Sequence, residues 1–227
     1  MKRNQEYKNS ALAALKGSWP QAVVATFIVL ALSELVSALP GGIEMLAASR
    51  NLSVPVMVAL TMLFSAVLMF LVVMPLMVYF ANAFKRLSYQ SDRNILSNLS
   101  PSGLADYFRN AAGMFLMSLV TYLLSLLLVV PGIIASLALF LTPYLLQDNP
   151  DLSVADTLRL SRKMMKGHKM QLFLLQLSFI GWILLNVLTL GLASLWITPY
   201  MMTTFAAFYH DVREQFIMKE GQQESAL

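Results

Sequence analysis

The stretch "VVPGIIASLALFLTPYLLQDNP", residues 129–150, closes an uncharged run that begins at Gly113, and whether that run crosses a membrane once or twice sets the architecture. As one helix, Gly113 to Leu146 would be ~50 Å long at ~1.5 Å per residue, against a hydrocarbon core of ~30 Å. Pro131 lacks an amide hydrogen and disfavours helix at Val130, while Gly132 permits a tight turn. The pair therefore predicts a reversal between two spans, with a single kinked span as the alternative.

Charge arbitrates between them. Lys2, Arg3, Lys8 and Lys16 precede Trp19, and Arg50 stands alone between residues 40 and 54. Lys85, Arg86, Arg93 and Arg109 lie between 84 and 112, and Arg159, Arg162, Lys163, Lys166 and Lys169 between 147 and 169. Arg213 and Lys219 follow Tyr209, and no basic residue lies near Pro131 or Gly191. With reversals at Pro131-Gly132 and at "TLGL", every basic-rich segment falls on one side, which the positive-inside rule makes cytoplasmic. A single span over 114–146 would put the 84–112 and 147–169 segments on opposite sides.

The expected fold is an all-α integral membrane bundle of six transmembrane helices, arranged as three helical hairpins with short interfacial amphipathic helices. The spans are 20–39, 55–83, 113–130, 132–147, 170–188 and 192–210, with both termini cytoplasmic. The second span is long enough to tilt or to project beyond the membrane. Residues 1–212 form one membrane-embedded domain, and 213–227 a polar, flexible cytoplasmic tail.

Composition agrees. The 227 residues are 58% hydrophobic and 12% charged, where soluble domains carry about 25% charged residues. The absence of cysteine excludes disulfides and thiol nucleophiles, and two histidines are too few for a histidine metal cage. A basic flank at the N-terminus resembles a signal peptide, but Glu34 interrupts its apolar segment, so it reads as a retained first span. The net charge of +4 sits beside apolar spans, where anionic headgroups explain it better than nucleic acid. No Ser/His/Asp set, paired carboxylates or phosphate-binding loop is present, so the expectation is no enzyme, no cofactor and no metal.

Three segments share an order: a short amphipathic stretch, a glycine, an apolar span, a reversal, and a span interrupted by proline. The glycines are Gly17, Gly113 and Gly167, the prolines Pro75, Pro143 and Pro199, and the separations 58, 30 and 32 residues. Internal repetition and the general likeness of proline-kinked hairpins account for this equally well. Each proline frees a carbonyl that a neighbour must satisfy, and Thr142, Thr198, Thr203 and Thr204 are close enough in sequence to serve.

"DLSVADTLRLSRKMMKGHK", residues 151–169, reads as an interfacial helix with a capping box at Ser153 and Asp156 and a helix end at Gly167. Val154, Leu158, Leu160, Met164 and Met165 share one side; Arg159, Arg162, Lys163 and Lys166 fill the other, facing lipid phosphates, with docking to an acidic partner as the alternative. "SPSGLADYFRNAAG" reads similarly, with Ser100 as cap, Pro101 at the first helical position, and Leu104, Tyr107, Phe108 and Ala111 as its apolar stripe. Within the spans Glu34 is the clear ionisable residue and, with Gln176 and Asn186, forms a candidate intramembrane polar site for proton or cation coupling. The bland readings are that Glu34 reaches the outer headgroups or is held protonated by Ser33 or Ser37, and that the amides are packing contacts.

From Pro131 to Tyr209 the chain resembles a bacterial family of multi-span membrane proteins known as domain of unknown function 975. The resemblance rests on "SRKMMKGHK", "LSFIGW" and "LW.TPY", and extends over roughly residues 5–210. It implies an integral inner-membrane protein and transfers no catalytic residues. Leu192-Ala193 departs from the isoleucine-glycine turn of that family. The function expected is a non-enzymatic envelope component associating with anionic lipid headgroups, a membrane protein partner or a second copy. A small permease-like subunit using Glu34 and the proline-kinked helices is the alternative.

Overall fold

Apolar runs of this length, lacking the period-two alternation of half-buried strands, satisfy their backbone groups as helices. The computed structural model describes residues 3–49, 53–90, 92–100 and 103–224, and within them the α-helices are α1 (Asn4–Leu15), α2 (Trp19–Ser49), α3 (Val54–Leu68), α4 (Met74–Gln90), α5 (Leu104–Leu127), α6 (Val129–Leu139), α7 (Thr142–Asp148), α8 (Val154–Met164), α9 (Lys169–Leu177), α10 (Ile180–Leu188) and α11 (Ser194–Glu224). A π-helical turn, Met69–Val73, joins α3 to α4.

Among the described residues, four stretches are long and apolar enough to cross a membrane: Trp19–Gly42, Val54–Tyr89, Val129–Asp148 and Lys169–Leu188. Helices α5 and α11 span 24 and 31 residues. Neither α3 nor α10 contains a buried residue, and Leu63, Leu184 and Leu188 are exposed. A helix apolar all round and uncovered by protein has lipid as its solvent. Among the described residues the fold is all-helical, with several helices long and apolar enough to span a membrane.

The chain turns back where residues 113–146 were expected to reverse, but not at the proline-glycine pair. Leu128 alone is extended (φ −162°, ψ 143°), and α6 starts at Val129, so Pro131 and Gly132 lie in its first turn. There the missing amide of Pro131 costs nothing, because the first amides of a helix have no intrahelical acceptor. Gly132 acts at the contact instead: a Cβ there would come within 2.8 Å of the Ser125 Cα and collide with its hydroxyl. The second reversal follows the expectation, with Leu190 (φ 52°) and Gly191 (φ 89°) left-handed between α10 and α11.

Other boundaries differ. Helix α2 runs through Pro40 to Ser49 rather than ending at Leu39. The expected interfacial helix at 100–113 is the first part of α5, capped by Gly103, and the Ser100 hydroxyl bonds to the Ser97 carbonyl. Pro101 lies outside the described residues. Gly113 sits inside α5 against Leu146, whereas Gly17 and Gly167 do end local helices with φ of 84° and 89°. The expected tail from 213 continues α11 as helix to Glu224.

The three prolines are accommodated in three ways. Ahead of Pro75 the ladder widens into the π turn, and the Tyr107 hydroxyl of α5 donates to the Leu71 carbonyl, one turn before the proline. Pro143 lies in the first turn of α7, and Thr142 donates to the Leu139 carbonyl at 2.6 Å. Pro199 stays inside α11, where Thr203 and Thr204 bond to the Pro199 and Tyr200 carbonyls rather than to the one the proline frees.

The buried core sits at the end where the basic segments meet. Tyr7, Ala11 and Leu15 of α1 pack with Phe80, Phe84 and Leu87 of α4, Leu141 and Leu145, and Phe208, Tyr209 and Val212 of α11. Between lipid-facing helices apolar burial gains little, since acyl chains are as apolar as leucine. Next to water each such side chain contributes about 1.5–3 kcal/mol, which favours a core at this end.

Candidate functional site

In α4, Asn82, Lys85, Arg86 and Tyr89 recur at three- and four-residue intervals and so share a helix face. That face meets Gln147 and Asp148 at the end of α7, and His210 and Arg213 of α11, around a cavity of about 130 Å³. The Asp148 carboxylate receives the Lys85 ammonium on one oxygen and the Tyr209 hydroxyl, at 2.5 Å, on the other. Arg213 approaches the same oxygen to 3.7 Å. Lys85 and Asp148 are nearly buried, with side chains 9% and 16% exposed. Charges so placed are tolerated because each has a hydrogen-bonded partner.

The surroundings hold this pair in place. Tyr209 stacks on Tyr144 (ring centroids 5.0 Å apart) and Tyr89 on His210 (4.1 Å). The Arg109 guanidinium of α5 donates to the carbonyls of Leu146, Asn149 and Leu152, capping the C-terminal end of α7 next to Asp148. On α11 a second tyrosine–carboxylate pair joins the Tyr7 hydroxyl to Asp211, with Gln171 donating to Tyr7 at 3.2 Å. Lys8 donates to the Ser178 carbonyl at 2.8 Å, where α9 breaks from α10, and lies 4.3 Å from the Phe179 ring centre; burial holds its ammonium below the usual lysine range.

The basic face expected on 151–169 is present. Ser153 caps α8, accepting from the Asp156 amide at 3.1 Å, and its hydroxyl, with Arg159 beside it, holds the Asp156 carboxyl below the usual range. Arg159, Arg162, Lys163 and Lys166 are exposed. The opposite face does not lie on lipid as expected: Thr157, Leu158, Ser161 and Met164 are buried, and Ser161 donates to the Ala138 carbonyl of α6. Lys163 reaches Glu220 of α11 at 2.5 Å, and a cavity of about 250 Å³ beside them is lined by Lys166, His168 and Lys219 as well.

Glu34, Gln176 and Asn186 do not converge. Glu34 is exposed on α2, Gln176 and Asn186 are half-buried on α9 and α10, and no hydrogen bond joins Glu34 to either amide among the described residues. Ser33 and Ser37 donate to the carbonyls of Val29 and Glu34, not to the Glu34 carboxylate. Among the described residues no three His, Cys, Asp or Glu gather as a metal ion would require.

The Lys85, Asp148, Tyr209 and His210 cluster was not foreseen, because each residue stands beside the end of an apolar run and reads alone as an interfacial group. The usable signal was the spacing 82, 85, 86, 89 at the C-terminal end of a span, polar on one face where the rest is apolar.

No curated protein and no solved structure matches the chain. A family model described as "Protein of unknown function (DUF975)" matches residues 59–216. That match covers more than half of the sequence, and the chain belongs to the DUF975 family.

Proposed function

We propose that the chain is a non-enzymatic, six-span protein of a bacterial inner membrane, with both termini cytoplasmic, that uses a fixed basic surface to associate with anionic lipid headgroups. One observation carries this reading: the four basic-rich segments touch one another at one end of the molecule. Arg93 lies against Gly17, Lys85 pairs with Asp148, and Lys163 pairs with Glu220. These contacts tie the N-terminal segment to 84–112, that segment to 147–169, and the last to the end of α11. Basic segments held on one side are what the positive-inside rule asks of a chain with an even number of crossings. The exposed Arg159, Arg162, Lys163 and Lys166 then face headgroup phosphates from a helix anchored by its other face, at about 1 kcal/mol per basic residue near an anionic surface. A membrane protein partner or a second copy with an acidic surface would engage the same residues.

Single cysteines introduced into this cysteine-free chain test the topology. At Asn98 and Lys166 they are expected to react with an impermeant maleimide from the cytoplasmic side, and at Val130 and Leu190 from the other side. Reaction of 98 and 166 from opposite sides would overturn the arrangement. For the lipid contact, Arg159→Gln/Arg162→Gln/Lys166→Gln is expected to weaken association of the full chain with anionic nanodiscs and leave neutral ones unaffected.

A permease-like role is the second reading, and it is favoured by Lys85 and Asp148 rather than Glu34. Both belong to stretches apolar enough to cross a membrane, where a paired charge marks a functional path by default. Solute flux in proteoliposomes that is lost with Asp148→Asn while the variant remains folded would promote this reading; absence of flux across a solute panel would retire it.

A further inference from the structure

We propose that the cavity between α4, α7 and α11 is a binding site for a small phosphate-type oxyanion. Three cations, Lys85, Arg86 and Arg213, line it against one carboxylate, Asp148. That carboxylate is already occupied by Lys85 and by the Tyr209 hydroxyl at 2.5 Å. Arg213, at 3.7 Å, is within ion-pair range but beyond good hydrogen-bonding distance, so its planar fork of donors is available. Arg86 uses Nη1 to hold Asn98 at 2.9 Å and keeps its remaining donors. An excess of cationic donors around a partly enclosed space is complementary to an oxyanion, and arginine binds phosphate bidentately.

A second observation concerns the buried part of the lining. Asn82 is 3% exposed, lines the cavity, and has no partner for its side-chain Oδ1. His210 Nε2, held beside it by the stack on Tyr89, also lacks one. Buried polar groups are seldom left so, and here they point to a ligand or its bound water. The amide of Asn82, turned over, offers an N–H₂ to an oxyanion; a protonated phosphate oxygen would instead donate to Oδ1 as it stands.

Size selects the ligand. About 130 Å³ compares with ~30 Å³ for a water in the liquid. A tetrahedral oxyanion and a water or two fit this space. The rim is formed by Arg86, by Tyr89 at 60% exposure and by Arg213, whose side chain is 42% exposed, so the site opens at the end where the basic segments meet. Inorganic phosphate and the headgroup of a phosphomonoester lipid share this chemistry. The site does not depend on the lipid contact of α8, and its test is separable from it.

The full chain in a non-ionic detergent at neutral pH would be titrated with inorganic phosphate, with chloride at matched ionic strength, and with short-chain phosphatidic acid, reading the unfolding temperature. A ligand that binds only the folded state raises that temperature with concentration. Phosphate or phosphatidic acid is expected to stabilise where chloride does not; a response to phosphate assigns the free ion, and a response to phosphatidic acid alone assigns the lipid. Arg86→Gln/Arg213→Gln is expected to weaken the apparent affinity by about tenfold or more, while Arg162→Gln/Lys166→Gln on α8 leaves it unchanged. Asn82→Leu, which keeps every charge, is expected to weaken it as well and serves if the arginine variant fails to fold. No stabilisation of the native chain by either phosphate compound would overturn the proposal, as would an undiminished response in the folded arginine or Asn82 variants.

Discussion

The Tyr107 hydroxyl of α5 donates to the Leu71 carbonyl, the backbone acceptor that Pro75 leaves without its usual amide partner. A side chain 36 positions away thus completes the helix ladder at a proline. Tyr107→Phe is expected to lower stability in detergent by about 0.6–1.5 kcal/mol, the range for one such bond. In a Pro75→Ala background, where the helix can supply its own donor, the same change is expected to cost less. A double-mutant cycle with no coupling would remove this explanation.

The Lys85 and Asp148 pair is nearly buried, so losing one member leaves the other charge without compensation. Asp148→Asn is expected to destabilise by about 3–5 kcal/mol, and Lys85→Met/Asp148→Leu, which removes both charges, by clearly less. Thermal unfolding in detergent reads both. Equal losses would mean that the pair is not the source of the effect.

Close packing of α5 against α6 depends on Gly132, where an added Cβ would reach the Ser125 backbone. Gly132→Ala is expected to cost about 1–3 kcal/mol by overpacking. Gly181, in α10, has nothing within 4 Å of such a Cβ, and Gly181→Ala is expected to gain about 0.5–1 kcal/mol from helix propensity. A melting-temperature series in which the two changes have the same sign would exclude this account of the hairpin.

His168 is buried between α8 and α9 with an unpartnered Nδ1, and its proton affinity is lowered, first by burial and then by Lys219. Lys163, Lys166 and Glu220 line the same cavity, and Asp211 acts in the opposite sense on the imidazole. Below the ordinary value of 6.5 the unfolded chain binds a proton that the folded one resists, so stability falls as pH drops from that value toward the folded pKa. The unfolding temperature is expected to decline from pH ~7 to pH ~5, and His168→Gln to flatten that slope. An unchanged slope in the variant would assign the decline to other groups.

Much of this was legible from local residue order. Membrane residence, the reversal between residues 113 and 146, the left-handed turn at "TLGL", and the Ser153 cap with its basic face all follow from hydropathy, punctuation and charge along short windows. The position of the first reversal did not, because Pro131 suits the first turn of a helix as well as a turn between helices, and the Ser125 contact of Gly132 decides between them. Thr142 was identified as the partner of Pro143 because it is adjacent in sequence; Tyr107, the partner of Pro75, was not, because it belongs to another helix.

By itself the sequence determined the apolar, helical class of this protein and the length of its apolar runs, since each depends on sums over consecutive residues. Tertiary structure alone decided that Lys85, Asp148, Tyr209 and Arg213 share one carboxylate-centred cluster, and that Glu34 stands apart from Gln176 and Asn186. Those relations depend on the rotation and depth at which helices distant in sequence pack, and only the three-dimensional contacts between them set these.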